Sequence, residues 1–149
     1  MMDNIGVFIS HLEKDYQKLG VIIPPQHTEV DVDGMKYLKL NIILSELLIK
    51  RSKRSWYLTI SDFIKEIVEQ SLDEIIVFDE FELLMSPDVG INFLELLLEL
   101  SKVRVILIIW RYDIDGNTLI YAKPGHKEYR RFKIKEEQIF FWIGEENAI

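Results

Sequence analysis

A short apolar run that ends in two adjacent carboxylates constrains the fold of this chain more than any other stretch. The run is EIIVFDEFE, residues 74–82, in which β-branched and aromatic residues lead directly into Asp79 and Glu80. An apolar run of this length and composition is typical of a strand buried on both faces, as in a parallel sheet. Because open α/β sheets bind ligands at the carboxyl ends of their strands, the two acids are predicted to lie at a ligand site.

The same pattern is that of a Walker B strand. In that motif the Asp, here Asp79, holds a Mg²⁺ ion, and the Glu, here Glu80, polarises the attacking water. The alternative is a central strand whose terminal acids are solvated, since one or two carboxylates rarely hold Mg²⁺ without substrate phosphates. A three-acid nuclease cluster would form only if a turn brings Glu82 to the other two.

Length and composition predict one globular domain over residues 1–149. The chain has 48% apolar and 29% charged residues, as in ordinary folded proteins. It has no cysteine and no signal peptide, which favours the cytoplasm, and it contains no apolar run of the roughly 20 residues that cross a bilayer. The net charge of −7 argues against a dedicated non-specific nucleic-acid binder but allows a local basic patch.

Apolar spacing predicts helices and strands that alternate. Helices are predicted at residues 3–18, at 41–50 with Asn41 as N-cap, from a T-x-x-D cap at Thr59, and from Ser86-Pro87-Asp88 to about Ser101. Strands are predicted at 19–23, 35–40, 74–81 and 103–110, followed by a hairpin turn at Asp115-Gly116 and one or two closing strands within 130–134 and 138–143. This order favours an α/β fold with three layers, a mostly parallel sheet and a C-terminal hairpin extension.

The segment after the first predicted strand lacks a phosphate loop. A P-loop core carries G-x-x-x-x-G-K-[ST] there, so that backbone N–H groups and a Lys contact phosphate. Residues 24–34 read PPQHTEVDVDG instead, with two prolines, three acids and no Lys. The segment is also too short for a loop followed by a helix whose N-terminus faces the phosphates. Ordinary nucleotide binding is therefore not expected.

Four segments, in this order and spacing, resemble one known protein family. They are YLKLNIILSELL (37–48), IIVFDEFELL (75–84), a leucine-rich helix leading to VRVILIIW (103–110), and LIYAKPGHKEYRRF (119–132). Over roughly residues 19–134 the chain resembles BrxF, the small P-loop-containing protein of type 3 BREX bacteriophage-defence systems. The segment Y-A-x-P-G-H-x-E-Y, residues 121–129, is the most specific part of the resemblance.

The resemblance implies an AAA/RecA-like P-loop NTPase core in which Asp79 matches the Walker B acid. It also implies a cytoplasmic accessory subunit that works beside a methyltransferase, a large ATPase and a phosphatase-like protein to exclude phage DNA. Because the chain departs from the family at the phosphate loop, we expect a degenerate core that requires no cofactor.

The turn motif within that segment consists of Tyr121, Pro124, Gly125, His126 and Tyr129. Pro124 and Gly125 would present His126 on a turn, where a neighbouring residue orients its ring. Two interpretations are open. The segment is a structural turn that seats the two tyrosines, or His126 is catalytic and has a partner such as Asp79 within hydrogen-bond reach.

Two basic segments are candidates for nucleic-acid binding. They comprise Lys50, Arg51, Lys53 and Arg54, followed by Trp56 and Tyr57 as rings for stacking, and a second group that includes Lys127, Arg130 and Arg131. Contact with a partner protein, or a solvated surface, are the alternatives. Residues 66–99 contain many acids and no Lys or Arg, which favours head-to-tail association into a homo-oligomer.

These observations favour a non-catalytic accessory or assembly subunit of an anti-phage, BREX-like complex that contacts DNA. One alternative is an ATPase that uses ATP and Mg²⁺ through Asp79 and Glu80 only in an oligomer, where Arg111 or the basic segments reach across an interface. The other alternative is a stand-alone DNA-binding protein.

Overall fold

A five-stranded parallel sheet is the central element of the computed structural model, which describes residues 4–25, 30, 32–71, 75–134 and 139–142. The helices are α1 (Asn4–Leu12), α2 (Leu40–Leu48), α3 (Trp56–Gln70) and α4 (Phe93–Leu100), with 3-10 turns at Lys53–Ser55 and Glu82–Met85. The strands are β1 (Leu19–Ile23), β2 (Lys36–Lys39), β3 (Ile76–Asp79), β4 (Ile106–Ile109), β5 (Asp113–Asp115), β6 (Thr118–Tyr121), β7 (Arg130–Lys133) and β8 (Phe140–Trp142).

The sheet has the strand order β2-β3-β4-β1-β8, and every neighbouring pair in it is parallel. The two strands predicted to be buried on both faces, β3 and β4, lie side by side with Ile76 opposite Ile106 and Phe78 opposite Ile108. All residues of both strands are buried, because layers cover both faces of the sheet. The predicted α/β class and mostly parallel sheet are therefore confirmed.

Alternate residues of the strands enter two separate apolar clusters. On one face, Ile22, Val77 and Leu107 pack with the apolar side of α1, which contributes Phe8 and Leu12. On the other face, α2, α3, α4 and the C-terminal strands pack against a larger cluster whose sheet residues include Val21, Phe78 and Ile108. Because side chains alternate along a strand, each strand contributes to both layers.

The small C-terminal sheet has the order β5-β6-β7 and is antiparallel, which confirms the predicted hairpin extension. Asp115 pairs with Thr118, so Gly116 and Asn117 form a two-residue loop. Gly116 has φ +59°, as the first central position of a type II′ turn requires. The predicted closing strands are β7 and β8, although residues 138 and 143 lie outside the described part.

Three predicted helix starts are wrong. The second helix begins at Leu40, and the third begins at Trp56 rather than at Thr59; neither has a side-chain cap. The fourth begins at Phe93, capped by Asn92, whose Oδ1 accepts from the Glu95 N–H at 3.2 Å. Residues 87–89 form a turn, and Gly90 follows with φ +70°, a left-handed conformation that interrupts a helix.

The first helix is shorter than predicted. The apolar spacing predicted a helix over residues 3–18, but the helix ends at Leu12. Residue 3 lies outside the described part. The chain then turns through hydrogen bonds from the Lys14 N–H to the His11 carbonyl and from the Asp15 N–H to the Leu12 carbonyl. A helix to residue 18 would leave no residues for the turn into β1 at Leu19. No described helix is long and apolar enough to span a bilayer.

Candidate functional site

The candidate site lies at the carboxyl edge of the parallel sheet, where the strand order reverses. The chain leaves β1 toward β2 at one edge of the sheet and leaves β4 toward β8 at the other edge. Ligands of open α/β sheets bind at such a reversal, which here falls between β4 and β1. A cavity of about 280 Å³ lies there, lined by Pro24, Pro25, Trp110 and Arg111 among others.

Asp79, the predicted Walker B acid, ends β3 and is fully buried. Arg111, just after β4, forms a two-armed contact with it, Nε to Oδ1 at 3.0 Å and Nη2 to Oδ2 at 2.9 Å. The Tyr37 hydroxyl on β2 donates to Oδ2, and the Glu80 N–H donates to Oδ1 at 2.8 Å. Each carboxylate oxygen therefore accepts two hydrogen bonds, which uses the four lone-pair positions of the group.

The electrostatics of this cluster keep Asp79 charged. Burial would raise the pKa of Asp79, but hydrogen bonds from Arg111 and Tyr37 outweigh burial and hold the pKa below its ordinary value. Hydrogen bonding to Asp79 raises the pKa of Arg111 in turn. Burial, followed by the bond to Asp79, raises the pKa of Tyr37, so its hydroxyl remains a donor. The cluster is a compensated ion pair rather than an open metal ligand.

Glu80 is held by its backbone and faces outward. Its φ of +48° is unusual for a residue other than glycine, and its carbonyl accepts from the Asn41 N–H at 2.7 Å. The carboxylate lies 3.5 Å from the Lys39 ammonium in a partly exposed pair. The structure thus places Glu80 next to Asp79 along the chain but directs its charge to a surface lysine.

Glu82 belongs to a second polar cluster. Its carboxylate accepts hydrogen bonds from the Asn41 amide and from the Tyr112 hydroxyl, while Asn41 Oδ1 accepts from the Leu83 N–H at 2.9 Å. Burial and the bond to Glu82 raise the pKa of Tyr112. Asn41 therefore links α2 to the turn after β3, instead of capping α2 as predicted.

The alternative of a three-acid nuclease cluster of Asp79, Glu80 and Glu82 is not borne out. Within the described residues, no group of three or more His, Asp or Glu side chains is placed to hold a metal ion. Asp79 and Glu82 each bind neutral or cationic partners of the protein instead. Asp79 alone could offer oxygen to Mg²⁺, and it would first have to lose hydrogen bonds to Arg111 or Tyr37.

The turn motif has internal hydrogen bonds that fix its shape. The His126 N–H donates to the Lys123 carbonyl and the Tyr129 N–H to the His126 carbonyl, both at 3.0 Å, and Gly125 has φ +91°. His126 is exposed, and its Nδ1 accepts from the Glu128 N–H at 3.0 Å. The ring is thus oriented by the backbone of Glu128, and none of the described contacts of Asp79 involves His126.

The two basic segments border one loop, residues 86–92. The Lys53 ammonium lies 3.2 Å from the Asp88 carboxylate, and Arg130 donates to the Ile91 carbonyl at 3.2 Å. The other charged groups of these segments are exposed at Lys50, Arg51, Arg54, Lys127 and Arg131. The structure therefore brings both segments to the surroundings of the same loop.

The two rings after the first basic segment differ in availability. Trp56 donates from its indole to the Arg51 carbonyl at 3.2 Å, and the Lys53 ammonium lies 5.9 Å from its ring centre. Trp56 is therefore part of the local structure of the segment. Tyr57 is 52% exposed and is the ring available for stacking.

Sequence reasoning missed the partners that surround the predicted acids, namely Tyr37, Asn41 and Tyr112. It named Arg111 only in the ATPase alternative, where Arg111 or the basic segments would reach across an interface between subunits. Arg111 contacts Asp79 of the same chain. A signal for this pair was present, because Asp79 and Arg111 each follow one of the two most apolar runs, and neighbouring parallel strands end at the same edge.

No protein-family model, curated protein or solved structure matches the chain.

Proposed function

We propose that this chain is a non-catalytic accessory subunit of a bacterial anti-phage, BREX-like defence complex. The observation that carries the non-catalytic part is the saturated carboxylate of Asp79, which Arg111, Tyr37 and the Glu80 amide occupy at every lone-pair position. The defence role is supported by the resemblance to BrxF over roughly residues 19–134.

A degenerate AAA/RecA-like P-loop core is part of this proposal. The strand order supports it, because β1 lies beside β4 at the reversal point and its carboxyl end leads to the position of a phosphate loop. That end carries Pro24 and Pro25, and proline has no N–H to offer an anion. The Walker B-like strand β3 lies on the other side of β4, where its Asp79 meets Arg111.

Arg111 substitutes for a metal ion in this account. A guanidinium supplies the positive charge that Mg²⁺ would bring to a Walker B acid, and its fork matches a carboxylate with two parallel hydrogen bonds. Mg²⁺ also needs several oxygen ligands in near-octahedral geometry, usually including substrate phosphates. The Asp79–Arg111 pair therefore stabilises the fold of the core without binding Mg²⁺ or supporting ATP hydrolysis.

The decisive experiment is phage plating on a host that carries the complete defence gene cluster. Replacing Glu80 by Gln removes the group that would activate water in an ATPase, and the described contact of the Glu80 carboxylate is a partly exposed pair with Lys39. The proposal predicts that the Glu80→Gln strain restricts phage as well as wild type, with Glu13→Gln as a charge-matched control. Loss of restriction only in the Glu80→Gln strain would support the ATPase alternative instead.

DNA contact is the second part of the proposed role. The observation that favours it is the position of both basic segments around the loop at 86–92, where Lys53 and Arg130 each contact the loop. Clustered Lys and Arg side chains form the electrostatic footprint of nucleic-acid binding even on an acidic protein. Fluorescence anisotropy with labelled DNA tests this part, and an absence of binding at low salt would remove it.

A further inference from the structure

A second cavity opens beside the turn motif and shares Tyr112 and Asp113 with the cavity at the sheet edge. Its volume is about 460 Å³, which lies within the range of small-molecule sites. Its lining includes Tyr112, Asp113, Tyr121, Lys123, His126 and Glu128. The cavity thus combines two tyrosine rings with hydrogen-bond donors and acceptors, and neither the accessory role nor the DNA surface makes use of it.

The hydrogen-bond donors that line the cavity have defined proton positions. Because Nδ1 of His126 accepts the Glu128 N–H, the neutral ring carries its proton on Nε2, which is a donor. Burial, and after it the charges of Glu128 and Glu82, raise the pKa of Tyr121, so its hydroxyl stays protonated. Tyr121 is itself positioned by an edge-to-face contact with Tyr112, with ring centres 5.0 Å apart.

The lining of the cavity carries charges of both signs. It has two carboxylates, Asp113 and Glu128, against one ammonium, Lys123, so the lining as a whole disfavours phosphate. Lys127 and Arg131 lie close to the lining residues in sequence and are exposed. This combination fits a ligand whose neutral, amine-bearing part contacts the carboxylates while its phosphates meet the neighbouring cations.

The backbone at the cavity is held in a costly conformation. Ala122, between Tyr121 and Lys123, has φ +63°, in the left-handed region that residues other than glycine seldom adopt. Such conformations are unfavourable and cluster at ligand sites. Here the conformation lies between two lining residues of the cavity.

We propose that this cavity takes an unstacked base of a single-stranded nucleic acid and prefers bases with an exocyclic amino group. Cytosine and adenine present an amino donor beside a ring-nitrogen acceptor. A carboxylate such as Glu128 accepts from the amine, while the Tyr121 hydroxyl or the His126 N–H donates to the ring nitrogen. Thymine has a carbonyl in place of the amine and would face the carboxylate unfavourably. The inference rests on the DNA-contact part of the proposed function.

The test measures binding of labelled eight-residue strands by fluorescence anisotropy. One strand consists only of abasic sugar-phosphate residues, and others carry a single cytosine, adenine or thymine in that same backbone. All have the same charge, so affinity differences report the base alone. From the usual worth of one stacked base, the cytosine strand is expected to bind about tenfold tighter than the abasic strand, with thymine in between. Deoxyribose and ribose versions separate DNA from RNA as the source of the base.

The variant Glu128→Gln identifies the cavity. It is expected to remove the preference for cytosine over thymine, whereas Glu13→Gln, on the other side of the sheet, is expected to keep that preference. Equal affinity for the cytosine and abasic strands, or a preference that survives in Glu128→Gln, would overturn the inference and leave DNA contact intact. If the wild-type protein binds none of these strands and does not bind an eight-residue oligocytidine either, both this inference and the proposed DNA contact are refuted.

Discussion

At the scale of single residues, the contact between Asp79 and Arg111 determines what the sheet edge can do. A buried ion pair adds little net stability compared with apolar residues, but removing one partner leaves a buried charge without compensation. Asp79 is fully buried, so it depends on Arg111 more than an exposed acid would. The pair explains how a strand with the Walker B pattern can persist without a phosphate loop.

Replacing Arg111 by Met is therefore expected to lower the free energy of unfolding by about 3 kcal/mol or more. Urea denaturation followed by circular dichroism measures this loss. Lys53→Met, which removes the exposed contact to Asp88, is the matched control and should change stability little. If the two variants lose the same small amount, the Asp79–Arg111 pair does not stabilise the core.

The same pair predicts how stability depends on acid. The folded protein holds the pKa of Asp79 below its unfolded value of about 3.9, so the stabilisation is complete above that value and is lost as pH falls through the folded pKa. Below about pH 4, wild type should lose stability more steeply than Asp79→Asn, although the variant is less stable at neutral pH. Denaturation midpoints from pH 2 to 7 report this difference, with exposed Asp62→Asn as a control that should follow wild type. Parallel curves for wild type and Asp79→Asn would contradict the assignment.

At the scale of elements, the packing of α1 on β1 depends on a single glycine. A Cβ at Gly20 would lie 2.6 Å from a Leu12 methyl, 2.7 Å from the Phe8 ring and 2.8 Å from a Leu107 methyl. Contacts this short force neighbouring side chains or the helix to move. The close approach of helix and strand is thus set by the absence of a side chain.

Gly20→Ala is expected to lower the free energy of unfolding by about 1–3 kcal/mol because of this overpacking. The same substitution in a Leu12→Ala background should cost less, because the shortened side chain leaves room for the new methyl group. Thermal or urea unfolding of the four proteins in this cycle measures the coupling. Additive losses would mean that α1 does not pack over Gly20 as described.

The elements also show which parts of the fold could be predicted from the sequence. The runs that became β3 and β4 were recognisable because a strand covered on both faces must be apolar throughout. Helix starts were less predictable: Thr59 lies inside α3, the Ser86 hydroxyl accepts from the Asp88 N–H in a local turn, and the side chain of Asn41 is used in tertiary contacts. Asn41 shows this most clearly, since its side chain bonds Glu82 and the Leu83 amide across the sheet edge.

At the scale of the whole molecule, the candidate site was predicted only in part. The acids at the end of β3 were placed at the carboxyl edge by their position after an apolar run. The side chains that hydrogen-bond to Asp79 were not predicted, because Tyr37 and Arg111 contact Asp79 only when β3 lies between β2 and β4. Strand order follows from long-range packing, which a single sequence does not specify by local pattern.

The charge distribution of the whole surface makes a further prediction. If the basic segments bind single-stranded DNA, log affinity should fall linearly with log salt. Arg51→Ala with Arg54→Ala should reduce that slope by about 0.7 for each phosphate that the protein no longer neutralises. A double variant at the lysines Lys14 and Lys65, outside both segments, serves as control. Anisotropy titrations across a range of salt concentrations measure the slopes. An unchanged slope in the arginine variant would place DNA contact elsewhere or exclude it.

Titration of Mg²⁺-ATP into the purified protein tests the central claim most directly. That claim states that hydrogen bonds from Arg111 and Tyr37 occupy the Asp79 carboxylate where a Walker B acid would hold a metal ion. Isothermal calorimetry should detect no saturable binding with a Kd below about 1 mM, the upper end of ordinary substrate affinities. The Asp79→Asn variant, checked for folding by circular dichroism, should give the same flat result. A Mg²⁺-dependent Kd in the micromolar range for wild type that disappears in Asp79→Asn would contradict the account.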